Sequence, residues 1–143
     1  MQIEEVTSVD PELVASLRGL MFQLSPGATP PTDANLEEIL DSPATRLLVA
    51  RDDEGAVVGS LTLVTFRIPT GVGVWIEDVV VDEAARGRGT GEALLREGVE
   101  LAARAGASRV NLTSTPDRVA ANRLYQRLGF EPRTTNVYRL ELS

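Results

Sequence analysis

Arg86-Gly87-Arg88-Gly89-Thr90-Gly91 lies between an apolar run, Val79-Val80-Val81, and a helical pattern that opens at Glu92-Ala93-Leu94-Leu95. A strand, a glycine-rich turn and a helix start, in that order, make a seat for phosphate. Glycine lacks the Cβ that would hold a ligand off the backbone, so successive N–H groups can converge on one anion. The helix start adds its unpaired first-turn N–H groups and the positive end of its dipole. Arg86 and Arg88 supply mobile positive charge. The bland alternative is a solvated arginine- and glycine-rich turn. Placement between strand and helix argues for the anion site.

The phosphate ligand can be narrowed by spacing. A Walker A loop needs a lysine, and the chain has none. A dinucleotide fingerprint, G-x-G-x-x-G, would put its third glycine on Glu92 or Leu94, so it fails as well. What remains is R-x-x-G-x-G. It resembles the acyl-CoA pyrophosphate loop of the GNAT N-acetyltransferase family.

Composition limits the chemistry further. The length of 143 residues suits one domain, residues 1–143, with no visible linker or repeat. Apolar residues make up 43% and no apolar run approaches the ~18 residues of a membrane span. The N-terminal stretch lacks a basic region followed by an apolar one, so the expected compartment is the cytoplasm. A net charge of −7 speaks against a nucleic-acid partner, which calls for clustered basic residues. There is no cysteine and no histidine. Thiol nucleophiles, thiolate metal sites and imidazole bases are therefore excluded, and no metal is expected. Proton transfer is left to Asp, Glu, Tyr, the α-amino group, backbone or water.

The elements that must position this loop follow from periodicity. A short strand is expected over Ile3–Thr7. A helix from Pro11, capped by Asp10 or Ser8, shows Leu13, Leu17, Leu20 and Leu24 on one face. A second helix, capped by Asp33, runs through Leu36, Ile39 and Leu40 and is ended by Asp41-Ser42-Pro43. Strands follow over residues 47–50, 57–66 and 74–81, then a helix from Thr90 to about Ala105 with Gly106 at C′. Residues 109–113 read as a strand, Asp117 as the cap of a fourth helix ending at Leu128-Gly129-Phe130, and Thr135–Leu142 as a final strand. The order β-α-α-β-β-β-α-β-α-β is similar to that of the GNAT fold. The resemblance implies an α/β (α+β) architecture, a mixed, mostly antiparallel twisted sheet of six to seven strands with four helices.

A second motif carries the same resemblance. Ala121, Leu124, Tyr125, Gly129 and Phe130 fit the A-x-x-L-Y-x-x-x-G-F segment of many of these transferases. Leu124 and Leu128 read as core, and Gly129-Phe130 as a helix end. The resemblance makes Tyr125 the general acid that protonates a departing CoA thiolate; packing as a half-buried aromatic is its plain alternative. Many relatives have an asparagine seven residues before this tyrosine, where the present chain has Arg118. Asn122, one turn from both Arg118 and Tyr125, is the candidate to bond pantetheine instead, with Arg118 reaching the phosphates.

On the strand ahead of the loop, alternation puts Trp75, Glu77, Val79 and Val81 on one face and Ile76, Asp78 and Val80 on the other. Two acids inside an apolar strand cost free energy unless solvated or employed. The Ile-Glu-Asp run resembles the same strand in polyamine and small-amine acetyltransferases, which implies Glu77, with Asp78 as second candidate, as base toward an ammonium. Pairing of one acid with a sheet-edge arginine is the competing reading. The resemblance also implies that the backbone of Val79, Val80 and Val81 holds pantetheine amides. Phe22, Phe66, Arg67 and Trp75 are the candidate acceptor-pocket residues.

Together these residues imply an acetyl-CoA-dependent N-acetyltransferase acting on a primary amine, of a small molecule or a peptide N-terminus, by direct attack in a ternary complex. A cysteine-borne acyl intermediate is ruled out by composition. The alternative is a non-catalytic acyl-CoA sensor or ligand-sequestering module of the same fold, acting as monomer or homodimer.

Overall fold

The computed structural model describes residues 1–143. Helix α1 (Pro11–Leu24) begins where Asp10 accepts the Leu13 N–H at 2.8 Å, with proline in the first turn where no N–H is needed. Its Leu13, Leu17 and Leu20 are buried, as their spacing requires. Helix α2 (Asp33–Asp41) is capped one residue earlier than expected. Thr32 accepts the Asn35 N–H and the Asn35 side chain accepts the Thr32 N–H, so Asp33 is the first helical residue.

The strands β1 (Gln2–Glu5), β2 (Thr45–Arg51), β3 (Val57–Ile68), β4 (Gly71–Val81) and β5 (Arg109–Asn111) form one sheet in the order β1-β2-β3-β4-β5. The first three pairings are antiparallel and β4–β5 is parallel. Five strands form where six to seven are expected. The missing one is Thr135–Leu142, which has no regular structure and leaves Val137, Tyr138, Leu140 and Leu142 exposed. Its alternation is genuine, but a strand is defined by pairing, and this segment finds no partner within the chain.

The sheet separates two apolar layers. On one face α1 and α2 bury Leu13, Leu17, Leu20 and Leu36 against Leu47, Val49 and Val80. Each fully buried leucine contributes about 2 kcal/mol. On the other face lies α3 (Thr90–Arg104). Its buried Gly98 faces Leu61 and Leu63, where a Cβ would make ordinary contact at 3.4–3.6 Å. Helix α3 ends as expected, with Gly106 left-handed at φ +81°, Ala107 N–H on the Ala102 carbonyl and Gly106 N–H on that of Ala103. No helix is long and apolar enough to cross a membrane.

Residues 1–113 and 114–143 form two compact units, the first holding the whole sheet. The second contains α4 (Val119–Arg127), whose N-cap is Arg118, without a side-chain cap bond; Asp117 does not serve as cap.

One core hydroxyl has no partner. Ser60 is 1% exposed and its Oγ makes no hydrogen bond. A buried unsatisfied polar group costs on the order of 1–3 kcal/mol. Ser60→Ala is therefore expected to raise unfolding free energy by about 1 kcal/mol in urea titrations. A loss of stability would show that the hydroxyl is satisfied in solution.

Candidate active site

Strand β4 is the frame of the site. Along one edge it pairs with β3 from Gly71 to Val81; along the other it pairs with β5 only at Gly73, Val74 and Trp75. Beyond Trp75 the β5 side of β4 has no partner strand. Backbone N–H and C=O groups of Ile76 to Val81 that face that side are thus open to a ligand with amides of its own.

The same stretch is bent by a bulge. Thr62 pairs with Glu77 and Ser60 with Val80, so Asp78 and Val79 together stand opposite Leu61. Asp78 has φ +51°, in the left-handed region that aspartate tolerates better than a β-branched residue does. The bulge corrects the strict alternation expected from sequence. Trp75, Glu77 and Val80 share the α1/α2 side, whereas Val81, opposite Gly59, lies on the α3 side. Val80 is buried, while Glu77 and Asp78 are both exposed and adjacent at the open stretch. Neither acid forms an ion pair with an arginine.

After β4, Asp82 caps a single 3-10 turn (Glu83–Ala85) by accepting the Ala84 N–H at 2.9 Å. The chain then enters the glycine loop. Gly87 and Gly89 both have φ +80°, and a Cβ on either would meet nothing within 4 Å. They are there for backbone conformation and not because of crowding. Gly89 is the N-cap of α3 with no side-chain cap bond, and the first helical bond is Ala93 N–H to the Gly89 carbonyl. The N–H groups of Thr90 and Gly91 precede it, at the positive end of a 15-residue helix. Thr90 is 5% exposed with its methyl toward Gly59, so its side chain packs and only its backbone serves the loop. Arg86 Nε donates to the Val81 carbonyl at 3.2 Å, which ties the loop to the end of β4 and occupies that acceptor. Arg88 is exposed.

Of the expected acceptor-pocket residues, Phe66 and Trp75 share one face of the sheet. The Phe66 ring covers Gly73, where any Cβ would lie 2.3 Å from its Cζ. Trp75 is 37% exposed. Arg67 is not brought to them: it alternates to the α3 side, with Thr65 and Leu63. Phe22 is exposed on α1, away from its leucine stripe.

In the second unit, Gly129 has φ +100° and closes α4 by donating to the Gln126 carbonyl, while Phe130 N–H reaches the Tyr125 carbonyl at 3.0 Å. The two rings meet edge-on at 6.1 Å. This accounts for the spacing of the Tyr-x-x-x-Gly-Phe segment: tyrosine at C3, glycine at C′, and phenylalanine at C″ packed on the tyrosine. Asn122 Nδ2 donates to the Thr115 carbonyl at 2.9 Å, so that amide holds the turn before α4. Arg118 is half-buried at the head of the helix.

The sequence profile of the acetyltransferase (GNAT) family matches residues 13–130. The chain belongs to the GNAT acetyltransferase family. It is 36% identical over 121 residues to glucosamine 6-phosphate N-acetyltransferase 1 of rice (Oryza sativa subsp. japonica), covering 78% of this chain and 71% of that protein. A Trypanosoma brucei acetyltransferase superposes with a TM-score of 0.76 at 28% identity, over 99% of this chain and 100% of that one. The aminoglycoside N-acetyltransferase AAC(6')-Iy in complex with CoA has a TM-score of 0.81 at 21% identity, over 98% and 93% of the two chains, a likeness of fold.

The loop makes a direct forecast. Gly89→Val forces a β-branched residue into a left-handed backbone, at a cost of about 1–2 kcal/mol. The expected result is CoA affinity reduced at least tenfold in calorimetry while circular dichroism still reports a folded chain. Undiminished affinity would remove this loop from the cofactor site.

Proposed function

We propose that this GNAT N-acetyltransferase transfers the acetyl group of acetyl-CoA directly to a small primary amine held beside β4, and that the amine belongs to an amino sugar. The observation that carries the reading is the half-unpaired β4, which runs through a 3-10 turn into the left-handed glycine loop. A ligand with a diphosphate at one end and amide groups along an arm is complementary to both. The amino-sugar class is supported by the rice relative, whose name gives glucosamine 6-phosphate as its acceptor.

Bound acetyl-CoA supplies an acyl thioester. The loop N–H groups, with Arg88, hold its diphosphate, and open β4 amides fix the arm so that the reacting carbon has one position. The amine must shed a proton, because an ammonium has no lone pair to attack with. Glu77 accepts that proton, directly or through water, with Asp78 beside it. The new C–N bond forms as the C–S bond breaks, and the Tyr125 hydroxyl delivers a proton to the departing sulfur. Much of the acceleration comes from holding amine and thioester together. Arg118 and the Oδ1 of Asn122 remain candidates for the far part of the cofactor.

An amine panel read by CoA release tests the assignment. Glucosamine 6-phosphate and an aminoglycoside should turn over faster than spermidine or a peptide N-terminus. Tight CoA binding with no CoA release across the panel would instead identify a binding module. With the best acceptor, Tyr125→Phe is expected to lower kcat about 10²-fold with KM for acetyl-CoA little changed. Glu77→Gln should lower kcat/KM most at low pH, where the amine is most protonated. A Tyr125→Phe variant with full turnover would remove the phenol from the mechanism.

A further inference from the structure

The face of the sheet that carries Arg67 holds a recess, in the first structural unit and independent of the acetyl-transfer reading. It is an open cleft of about 460 Å³ under the last turns of α3. That volume is within the range of small-molecule sites, roughly 300–1,000 Å³. Its floor is apolar: Leu63, Val74 and Ala102, each 2% exposed or less, with Leu101 beside them. Helix α3 lines it with Leu101, Ala102 and Ala105, and the two alanines leave the space unfilled.

Two guanidinium groups stand at the rim. Arg46 is opposite Leu63 in the register, and Arg67 lies two residues beyond Thr65 on the same side. Arg46 has a long ion pair to Glu5, 3.6 Å, with both side chains nearly half exposed. Arg67 has no acidic partner. In a chain of net charge −7, Arg67 stands without a counter-charge beside an apolar floor, while Arg46 on β2 is turned toward Glu5 on β1. The nearby end of α3 is the negative end of its dipole, lessened here because the Leu101, Ala102 and Ala103 carbonyls accept from Ala105, Gly106 and Ala107, so the arginine charge must outweigh it. The Arg104–Glu100 pair of the same turn faces solvent.

We propose that this cleft binds an amphipathic anion, a carboxylate or phosphate carried on an apolar stem, with the head group on Arg67 and the stem along Leu63 and Leu101. Guanidinium groups match the paired oxygens of either head group. The cleft is at the opposite end of α3 from the glycine loop, about 22 Å for 15 residues. It is therefore a site of its own.

Calorimetry and amide chemical shifts with octanoate, octyl phosphate, octylamine and acetate test this on the full chain. Octanoate or octyl phosphate should bind with a Kd at or below about 1 mM and shift the Leu101 and Ala105 amides. Whichever of the two binds tighter identifies the head group. Acetate, lacking a stem, and octylamine, with the wrong charge, should bind at least tenfold more weakly. Arg67→Gln should weaken binding at least tenfold and Arg67→Lys less, and Ala105→Leu should fill the cleft and abolish it. Arg67 is exposed, so its variants test the site even if Ala105→Leu fails to fold. Equal binding of octylamine, unchanged affinity in Arg67→Gln, or no binding of either octyl anion at 10 mM, about ten times the expected Kd, would overturn the proposal.

Discussion

A backbone that cannot be left unpaired is the constraint around which this molecule is arranged. Strand β4 is bonded to β3 over its whole length but to β5 at only three positions. Main-chain donors and acceptors in a strand are obligatory hydrogen-bonding groups, met by a neighbour, by water or by a ligand. Because β5 ends at Asn111, the second half of β4 is left to water or to a ligand with strand-like amides. The bulge at Asp78-Val79 reinforces this, since an extra residue increases local twist and bends the strand. The candidate site is thus made first by an interruption of the sheet, and only then by side chains.

Most of this was legible in the sequence where local rules decide the outcome. The glycine loop, Gly106 at C′, the Asp10 cap and the leucine face of α1 each depend on residues within a few positions of one another. The misreadings occur where a distant partner decides. Thr135–Leu142 alternates as a strand should, but alternation cannot reveal whether a partner exists. The bulge is visible only when β3 is laid beside β4, and it moves Val80 to the face expected for Val79. Arg67 follows Phe66 in the chain, and one step along a strand puts it on the other side of the sheet. The caps of α2 and α4 are closer misses: Thr32 forms a reciprocal pair with Asn35 that Asp33 alone would not, and Arg118 takes the position expected for Asp117.

Tyr125 shows why a motif residue need not be either structural or chemical. Its ring closes α4 by meeting Phe130, an arrangement set by the left-handed Gly129 between them. That requirement accounts for the aromatic ring and for the three-residue gap before glycine. It does not account for the hydroxyl, which the ring contact does not use. In the proposed reaction, packing and chemistry therefore reside on different atoms of one side chain. Asn122 divides in the same manner: its Nδ2 secures the Thr115 turn while its Oδ1 can still accept.

The absence of histidine and cysteine fixes how exactness is distributed in such a site. Glu77 and Asp78 are exposed carboxylates, so in the proposed reaction a proton released by the amine has several exits. No single base has to be matched to the amine as a buried imidazole would be. What has no substitute is the relative position of two substrates, and in the proposed reaction position is held by main-chain groups: the open run of β4, the Arg86 bond that ties the loop to Val81, and the two left-handed glycines before α3. Effective concentrations gained by such alignment can exceed the gain from one acid or base by several orders of magnitude. Substitutions that alter backbone conformation in this segment therefore strike at the larger contribution, and those that remove a carboxylate strike at the smaller one.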